Sequence, residues 1–238
     1  MRLAVGAGAI LAAAAVAACG VIPAPPGPLK TTFIPEATPV AATATPSSDG
    51  FTTEQHLAVR IRVATCQGWA TGSGWILNSH EVITNRHVAE GATHIEVTTY
   101  DGHDYVVNSS LIAKTPDLAL LNLDDVFTES ATMAEIVPTN GAPMTVVGYP
   151  LGQALTVAQG HFIGTEVDSL GDSGQNVWLI NAHIDHGSSG SPVYDAAGKV
   201  VAIVYAGDPE WDALAWPASS LQGLLDDPTG WTNNSAAC

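Results

Sequence analysis

From about residue 51 onward the chain is written in short apolar runs broken by turn residues. Leu57 to Thr65 (LAVRIRVAT) alternates apolar and polar positions, the period of a strand with one buried face. Trp75 to Leu77 and Val82 to Thr84 are short apolar runs, and Thr93 to Thr99 (THIEVTT) is rich in β-branched residues, which suit a pleated surface. Val106 and Val107, Leu111 and Ile112, and Leu118 to Leu123 continue the series. After Pro138 a second series follows: Met144 to Gly148, Leu155 to Val157, His161 to Val167, Val177 to Ala182, Pro192 to Tyr194 and Val200 to Tyr205. Many short strands at regular spacing predict an all-β sandwich or barrel, and the break around Glu129 to Gly141 divides it into two halves. One short helix is expected near the end, at about 217–226. Pro217 suits a first helical position, and Leu221, Leu224 and Leu225 share one face. No period of 20 to 50 residues is present, which argues against a propeller or solenoid.

The first fifty residues carry none of this pattern. Arg2 followed by an apolar, Ala-rich segment to Ala18 is too short for a stable membrane span and reads as a leader, residues 1–18. It ends in Val16-Ala17-Ala18-Cys19-Gly20, which resembles the bacterial lipobox and makes Cys19 a candidate for lipidation. A general secretory signal cut nearby, with Cys19 an incidental thiol, is the alternative. Two acyl chains on Cys19 would hold the protein at the outer face of a bacterial membrane, and without them it would be extracellular. The stretch to residue 50 is dominated by Pro, Ala and Thr and cannot bury enough surface to offset ordering, so it is expected to act as an extended tether. With Cys19 set aside, Cys66 and Cys238 form an even pair outside the cytoplasm and a possible disulfide; two unbonded thiols are the alternative.

Composition excludes one class of partner. The formal net charge is -16 and the seven Lys and Arg are scattered with no basic run, so nucleic acid is not an expected partner.

Candidate chemistry centres on HIDHGSSGSPVYD, His183 to Asp195. In Gly187-Ser188-Ser189-Gly190-Ser191-Pro192, serines packed between glycines and closed by proline give a tight backbone on which one hydroxyl can stand clear while N–H groups converge, as a serine nucleophile needs. An ordinary Gly/Ser turn has the same composition. Upstream, His87 in TNRHVA follows a short strand and sits where a turn begins, within reach of a cleft. Asp117 in TPDLALL places a carboxylate at the mouth of an apolar strand, where it is costly to bury unless an N–H pairs with it. Asp101 and Asp104 compete, but their turn (YDGHDY) is polar and reads as solvated. His183, Asp185 and His186 crowd three potential metal ligands into four residues, which rarely closes a good geometry, and no metal or other cofactor is called for.

Six segments occur in a familiar order: TGSGWI (71–76), ITNRHVAEGA (83–92), PDLALLNL (116–123), VVGYPLG (146–152), LTVAQGHFIG (155–164) and HGSSGSPVYDAAGKVVAIVYAG (186–207). Together they resemble the trypsin-like serine peptidases, in particular the bacterial HtrA-type and glutamyl-endopeptidase branches. The resemblance runs from about Leu57 to Leu225 and includes ALAWPASSL, similar to the HtrA-type lead into a C-terminal helix. It implies two six-stranded antiparallel β-barrels, at about 51–130 and 138–216, with the active site between them. The helix would follow at about 217–226, completing a peptidase domain over 51–228 with 229–238 as a tail and no PDZ domain beyond. It also implies Ser189 as nucleophile, His87 as general base and then acid, Asp117 as the group orienting the imidazole, and the N–H groups of Gly187 and Ser189 as oxyanion hole. His183, Val204, Tyr205 and Ala206 would line the substrate pocket. The implied partner is a protein or peptide substrate, and the alternative is a silent or partner-activated member of the fold that serves as a binding module. Ser188 stands where digestive trypsin-like enzymes carry an aspartate that pairs with a newly cut N-terminus, so activation by that salt bridge is not expected. Ser191 fits the glutamyl-endopeptidase pattern, whereas Val204 replaces the histidine those enzymes usually use to bind an acidic side chain.

Overall fold

The computed structural model describes residues 46–170, 174–207 and 212–236; the leader, Cys19 and the stretch to residue 45 lie outside them, as does Cys238. A short helix α1 (Thr53–Leu57) leads into β1 (Ala58–Thr65), β2 (Gly68–Asn78) and β3 (Glu81–Thr84). A single helical turn α2 (Arg86–Ala89) then precedes β4 (Ala92–Thr98), β5 (Asp104–Val106), β6 (Ser109–Ala113) and β7 (Ala119–Asn122). The second half contains β8 (Pro143–Gly148), β9 (Thr156–Val167), β10 (Asn176–Asn181), β11 (Pro192–Tyr194), β12 (Val200–Gly207) and β13 (Ala213–Pro217). It ends with α3 (Ala218–Asp226) and β14 (Trp231–Asn233).

The second half closes into a six-stranded barrel in the order β10-β13-β12-β11-β8-β9. The first half is an eight-stranded antiparallel sheet in the order β14-β6-β7-β3-β2-β1-β4-β5, with β14 and β5 at its edges. The all-β character, the two halves and the short terminal helix match the expectation from sequence. The first half differs in having eight strands with open ends in place of six in a closed barrel. The eighth strand comes from the segment read as a tail: Trp231 pairs with Ala113, Thr232 with Ile112 and Asn233 with Leu111. Three residues with one apolar side chain carry no periodicity, so β14 leaves no trace in the pattern.

Other differences have similar causes. Helix α1 spans five residues, too few for a helical period to show, although Thr52 and Gln55 form a reciprocal capping box at its start. β13 is an all-apolar run buried on both faces, so it lacks alternation and reads as a prelude to the helix. Pro217 stands one position earlier than expected, as the N-cap of α3.

Three buried clusters explain the strand pattern. Val59, Ile61, Val63, Ile76, Val82, Ile95, Val97 and Leu121 fill the first half. Met144, Val146, Phe162, Trp178, Ile180, Val193 and Val204 fill the barrel. Trp75, Ile83, Leu118 and Leu120 from the first half meet Val147, Tyr194, Ile203, Trp216 and Leu221 from the second in a shared cluster between them. Adjacent residues on one strand feed different clusters, as the pleat requires: Val82 points into the first and Ile83 into the shared one. Strands sandwiched this way are apolar on both faces, which is why LALLNL shows no alternation. Each large side chain so buried contributes roughly 1.5–3 kcal/mol.

The end of the described chain is tied to the start of the site. The Asn234 side chain accepts from Gly91 N–H at 3.0 Å and donates to Ala89 C=O at 2.9 Å and to Ser110 Oγ at 3.0 Å. It therefore holds the end of α2 against the outer strands. Cys66, in the β1–β2 turn, is disulfide-bonded; the chain's other cysteines, Cys19 and Cys238, lie outside the described residues. Replacing Asn234 by Ala leaves three polar partners unmatched, and thermal unfolding is expected to show a loss of about 1–3 kcal/mol.

Candidate active site

Strand β3 carries the chain into the groove between the halves and stops at buried Thr84. Asn85 caps α2 with its backbone extended, and its buried side-chain amide donates to the Asp117 backbone carbonyl at 2.8 Å. That bond links the turn bearing His87 to the entrance of β7. On this frame the Asp117 carboxylate makes two contacts with one residue. Its Oδ1 accepts the His87 backbone N–H at 2.9 Å, and its Oδ2 lies 2.6 Å from His87 Nδ1. Arg86 Nε lies 3.8 Å from Asp117 Oδ1 and adds a favourable field. The Asp117 side chain is 13% exposed and the His87 side chain 48%, so the carboxylate is sheltered while the imidazole faces the groove. A carboxylate at Nδ1 assigns that nitrogen the proton of the neutral ring and leaves Nε2 as acceptor. The competing aspartates are engaged elsewhere, Asp101 with the Thr99 hydroxyl and Asp104 with Arg62 and Thr98.

Ser189 sits in the loop between β10 and β11, and this loop lies directly on β2. The Ser189 carbonyl accepts Ser73 N–H at 2.8 Å, and Gly190 N–H donates to the Val204 carbonyl at 2.8 Å. Gly190 has φ +91, and a Cβ there would lie 2.0 Å from the Ser73 carbonyl oxygen, so only glycine fits. Gly187 has φ +88, and a Cβ there would press on the turn of residues 149–152. Ser189 Oγ lies 3.4 Å from the Tyr205 carbonyl. Tyr205 in turn lines a cavity of about 320 Å³ together with His87 and Asp117. Gly72 supplies a second link, since a Cβ there would touch both Val88 of α2 and the Ser189 carbonyl.

The loop leaves donors uncommitted. Among the described residues, the N–H groups of Gly187 and Ser189 have no backbone acceptor, whereas Ser188 N–H bonds Asp185 C=O and Ser191 N–H bonds Ser188 C=O. The His186 carbonyl accepts Leu151 N–H at 2.5 Å. A trans peptide points its C=O and the following N–H in opposite directions, so this anchor turns the Gly187 N–H away from Leu151. Leu151 holds a left-handed backbone (φ 56) to reach that position, a conformation that costs roughly 1–2 kcal/mol for a residue with a Cβ.

The residues expected to form the substrate pocket do not share one cavity. His183 lines a separate space of about 260 Å³ beneath the loop, with Asp185, Ser188 and Ser191. Tyr205 and Ala206 line the cavity beside His87, along with Asp168, Leu170 and Trp216. Val204 is fully buried in the barrel core and meets the loop through its backbone, its carbonyl accepting Gly190 N–H and its N–H donating to the Ser191 carbonyl. Period-2 alternation on β12 separates Val204 from Tyr205. Asp168, absent from the sequence reading, is 4% exposed and accepts the Tyr205 hydroxyl at 2.8 Å. Burial first, then this hydrogen bond, raises the Tyr205 pKa. Burial likewise pushes Tyr149, at the end of β8, up to about 12, so both phenols stay neutral at ordinary pH.

The model of the trypsin-like peptidase domain family matches residues 72–203, more than half of the 238-residue chain. The serine protease Do-like HtrA of Bacillus subtilis is 30% identical over 174 residues, which cover 66% of this chain and 39% of that protein. The serine protease Rv3671c of Mycobacterium tuberculosis is 27% identical over 185 residues, covering 74% of this chain and 46% of that protein. The chain thus spans less than half the length of these relatives. Among solved structures, the active form of the M. tuberculosis Rv3671c protease superposes with a TM-score of 0.64 at 24% identity, over 73% of this chain and 81% of that one. The HtrA-type protease AlgW with a tripeptide superposes with a TM-score of 0.66 at 24% identity, over 74% of this chain and 62% of that one. With a matched span that begins beside Ser73 on β2 and ends on β12 beyond the Ser189 loop, the chain belongs to the trypsin-like peptidase family.

Proposed function

We propose that the protein is an exported serine endopeptidase that hydrolyses peptide bonds of protein or peptide substrates at the bacterial cell surface. One observation carries the reading: Asp117 grips both the backbone N–H and the ring Nδ1 of His87, which leaves Nε2 as the ring's acceptor, and His87 shares a cavity with Tyr205, whose carbonyl lies 3.4 Å from Ser189 Oγ. A serine hydroxyl is a weak nucleophile near neutral pH, so His87 Nε2 accepts its proton as Oγ attacks the scissile carbonyl. Asp117 holds the tautomer and stabilises the imidazolium without taking the proton. The N–H groups of Gly187 and Ser189 receive the developing oxyanion. Collapse of the tetrahedral adduct passes the proton from His87 to the departing amine and leaves an acyl-enzyme on Ser189. Water, deprotonated by the same imidazole, then releases the acid.

Export rests on the leader and on Cys19 in its lipobox-like setting, and we assign Cys19 the lipid anchor that tethers the domain to the membrane. Cys66, which is disulfide-bonded, is assigned Cys238 as its partner, a pairing that suits an oxidising compartment.

A fluorophosphonate probe is expected to label the wild-type protein and to leave Ser189→Ala unlabelled; equal labelling of the two would overturn the serine mechanism. Asp117→Asn, which keeps the shape but reverses the preferred tautomer of His87, is expected to lower kcat by about 10⁴. Mass spectrometry of the mature protein is expected to show a diacylglyceryl increment on the peptide starting at Cys19, and a Cys66–Cys238 cross-linked peptide that separates on reduction.

A further inference from the structure

We infer that Ser73 is a positioning residue that holds the oxyanion hole open, through two carbonyls of the Ser189 loop. This role rests on the serine-nucleophile reading above. Ser73 lies in β2, belongs to the first half of the molecule and is fully buried. Its hydroxyl donates to the Gly187 carbonyl at 2.8 Å and accepts the Tyr149 N–H at 2.8 Å. Its backbone N–H donates to the Ser189 carbonyl at 2.8 Å, and its own carbonyl accepts the Thr84 hydroxyl at 2.7 Å.

Each bond has a directional consequence. A hydroxyl has one proton. Because Tyr149 N–H occupies the oxygen as a donor, that proton is committed to the Gly187 carbonyl. Fixing this carbonyl fixes the peptide plane between Gly187 and Ser188, while Ser73 N–H fixes the plane that follows Ser189. The Leu151 N–H on the His186 carbonyl fixes the plane before Gly187. Gly187 is thus clamped on both sides, and its φ of +88 is the conformation that satisfies both clamps. Without the Ser73 hydroxyl, the buried Tyr149 N–H and the part-buried Gly187 carbonyl lose their partner. The loop then gains by rotating the Gly187 peptide towards other donors, which spoils the convergence of the two oxyanion N–H groups.

The Ser73 hydroxyl touches neither substrate nor His87, so its loss is expected to appear in the transition state alone. In full-length protein, Ser73→Ala is expected to lower kcat on a fluorogenic peptide by about ten- to a hundredfold, below the hundred- to thousandfold cost of deleting an oxyanion donor outright. KM is expected to stay within about twofold. Affinity for a peptide aldehyde, whose adduct places an oxyanion in the same hole, should fall by the same factor as kcat/KM. If Ser73→Ala does not fold, Ser73→Cys, with a weak S–H donor in a similar shape, is expected to show a smaller loss of the same kind.

A kcat within twofold of wild type in Ser73→Ala, or a loss carried by KM with aldehyde affinity unchanged, overturns the role of Ser73. Labelling of Ser189→Ala by fluorophosphonate at the wild-type rate overturns the nucleophile reading, and the Ser73 role with it. A silent Ser189→Ala beside a fully active Ser73→Ala overturns the Ser73 role alone.

Discussion

The fold depends on a seam where the backbone of one half lies against the backbone of the other with no room for a methyl group between them. A Cβ on Gly190 would sit 2.0 Å from the Ser73 carbonyl oxygen, and a Cβ on Gly148 would sit 2.9 Å from Ser73 Oγ. The shared apolar cluster behind the seam supplies the adhesion, with Trp75 and Ile83 from one side packed on Trp216 and Tyr194 from the other. Hydrophobic burial is non-directional and does not choose between nearby loop conformations. The seam's hydrogen bonds do choose. Ser73 N–H and Ser73 Oγ each reach one carbonyl of the loop that carries Ser189, while Thr84 Oγ1 holds the Ser73 carbonyl from within the first half.

Rigidity here and exposure next to it divide the labour of the groove. Asp117 is sheltered and multiply bonded, whereas His87 is half exposed on a helical turn of four residues. Such a turn has too few internal hydrogen bonds to hold itself. It is held from outside by the Asn85 amide on the Asp117 backbone, by the Asp117 carboxylate on the His87 backbone and by Asn234 on Ala89 and Gly91. The His87 imidazole is thereby placed on a segment whose geometry is fixed by long-range contacts, with about half of the side chain exposed.

The fold class was legible because period-2 alternation survives wherever one strand face is less apolar, as in β1 and β4. The candidate triad was legible because His87, Asp117 and Ser189 each lie in a local context that announces a strand end, a costly carboxylate or a glycine-bent loop. Ser73 was not, because a serine between Gly72 and Gly74 looks like a small residue in a strand, and its importance arises from a partner 114 positions away. Leu151 carries no signal either, since nothing about a leucine side chain announces a left-handed backbone. The pocket residues misled for a geometrical reason. Consecutive positions on β12 look like one lining, but the pleat sends Val204 into the barrel core and Tyr205 towards the groove.

Strand β14 gives this architecture a temporal order. Its partner β6 is complete at Ala113, yet the pairing residues begin at Trp231, and Asn234, which steadies the turn bearing His87, comes later still. A chain that emerges N-terminus first presents His87 and Asp117 early, Ser189 next, and the strand that locks the histidine's turn later than all three. Closing so long a loop is slow compared with forming the local hairpins. The turn that bears His87 is therefore fixed only once residues 231–234 have joined the sheet, so its order reports on the docking of β14 and not on the formation of the local hairpins.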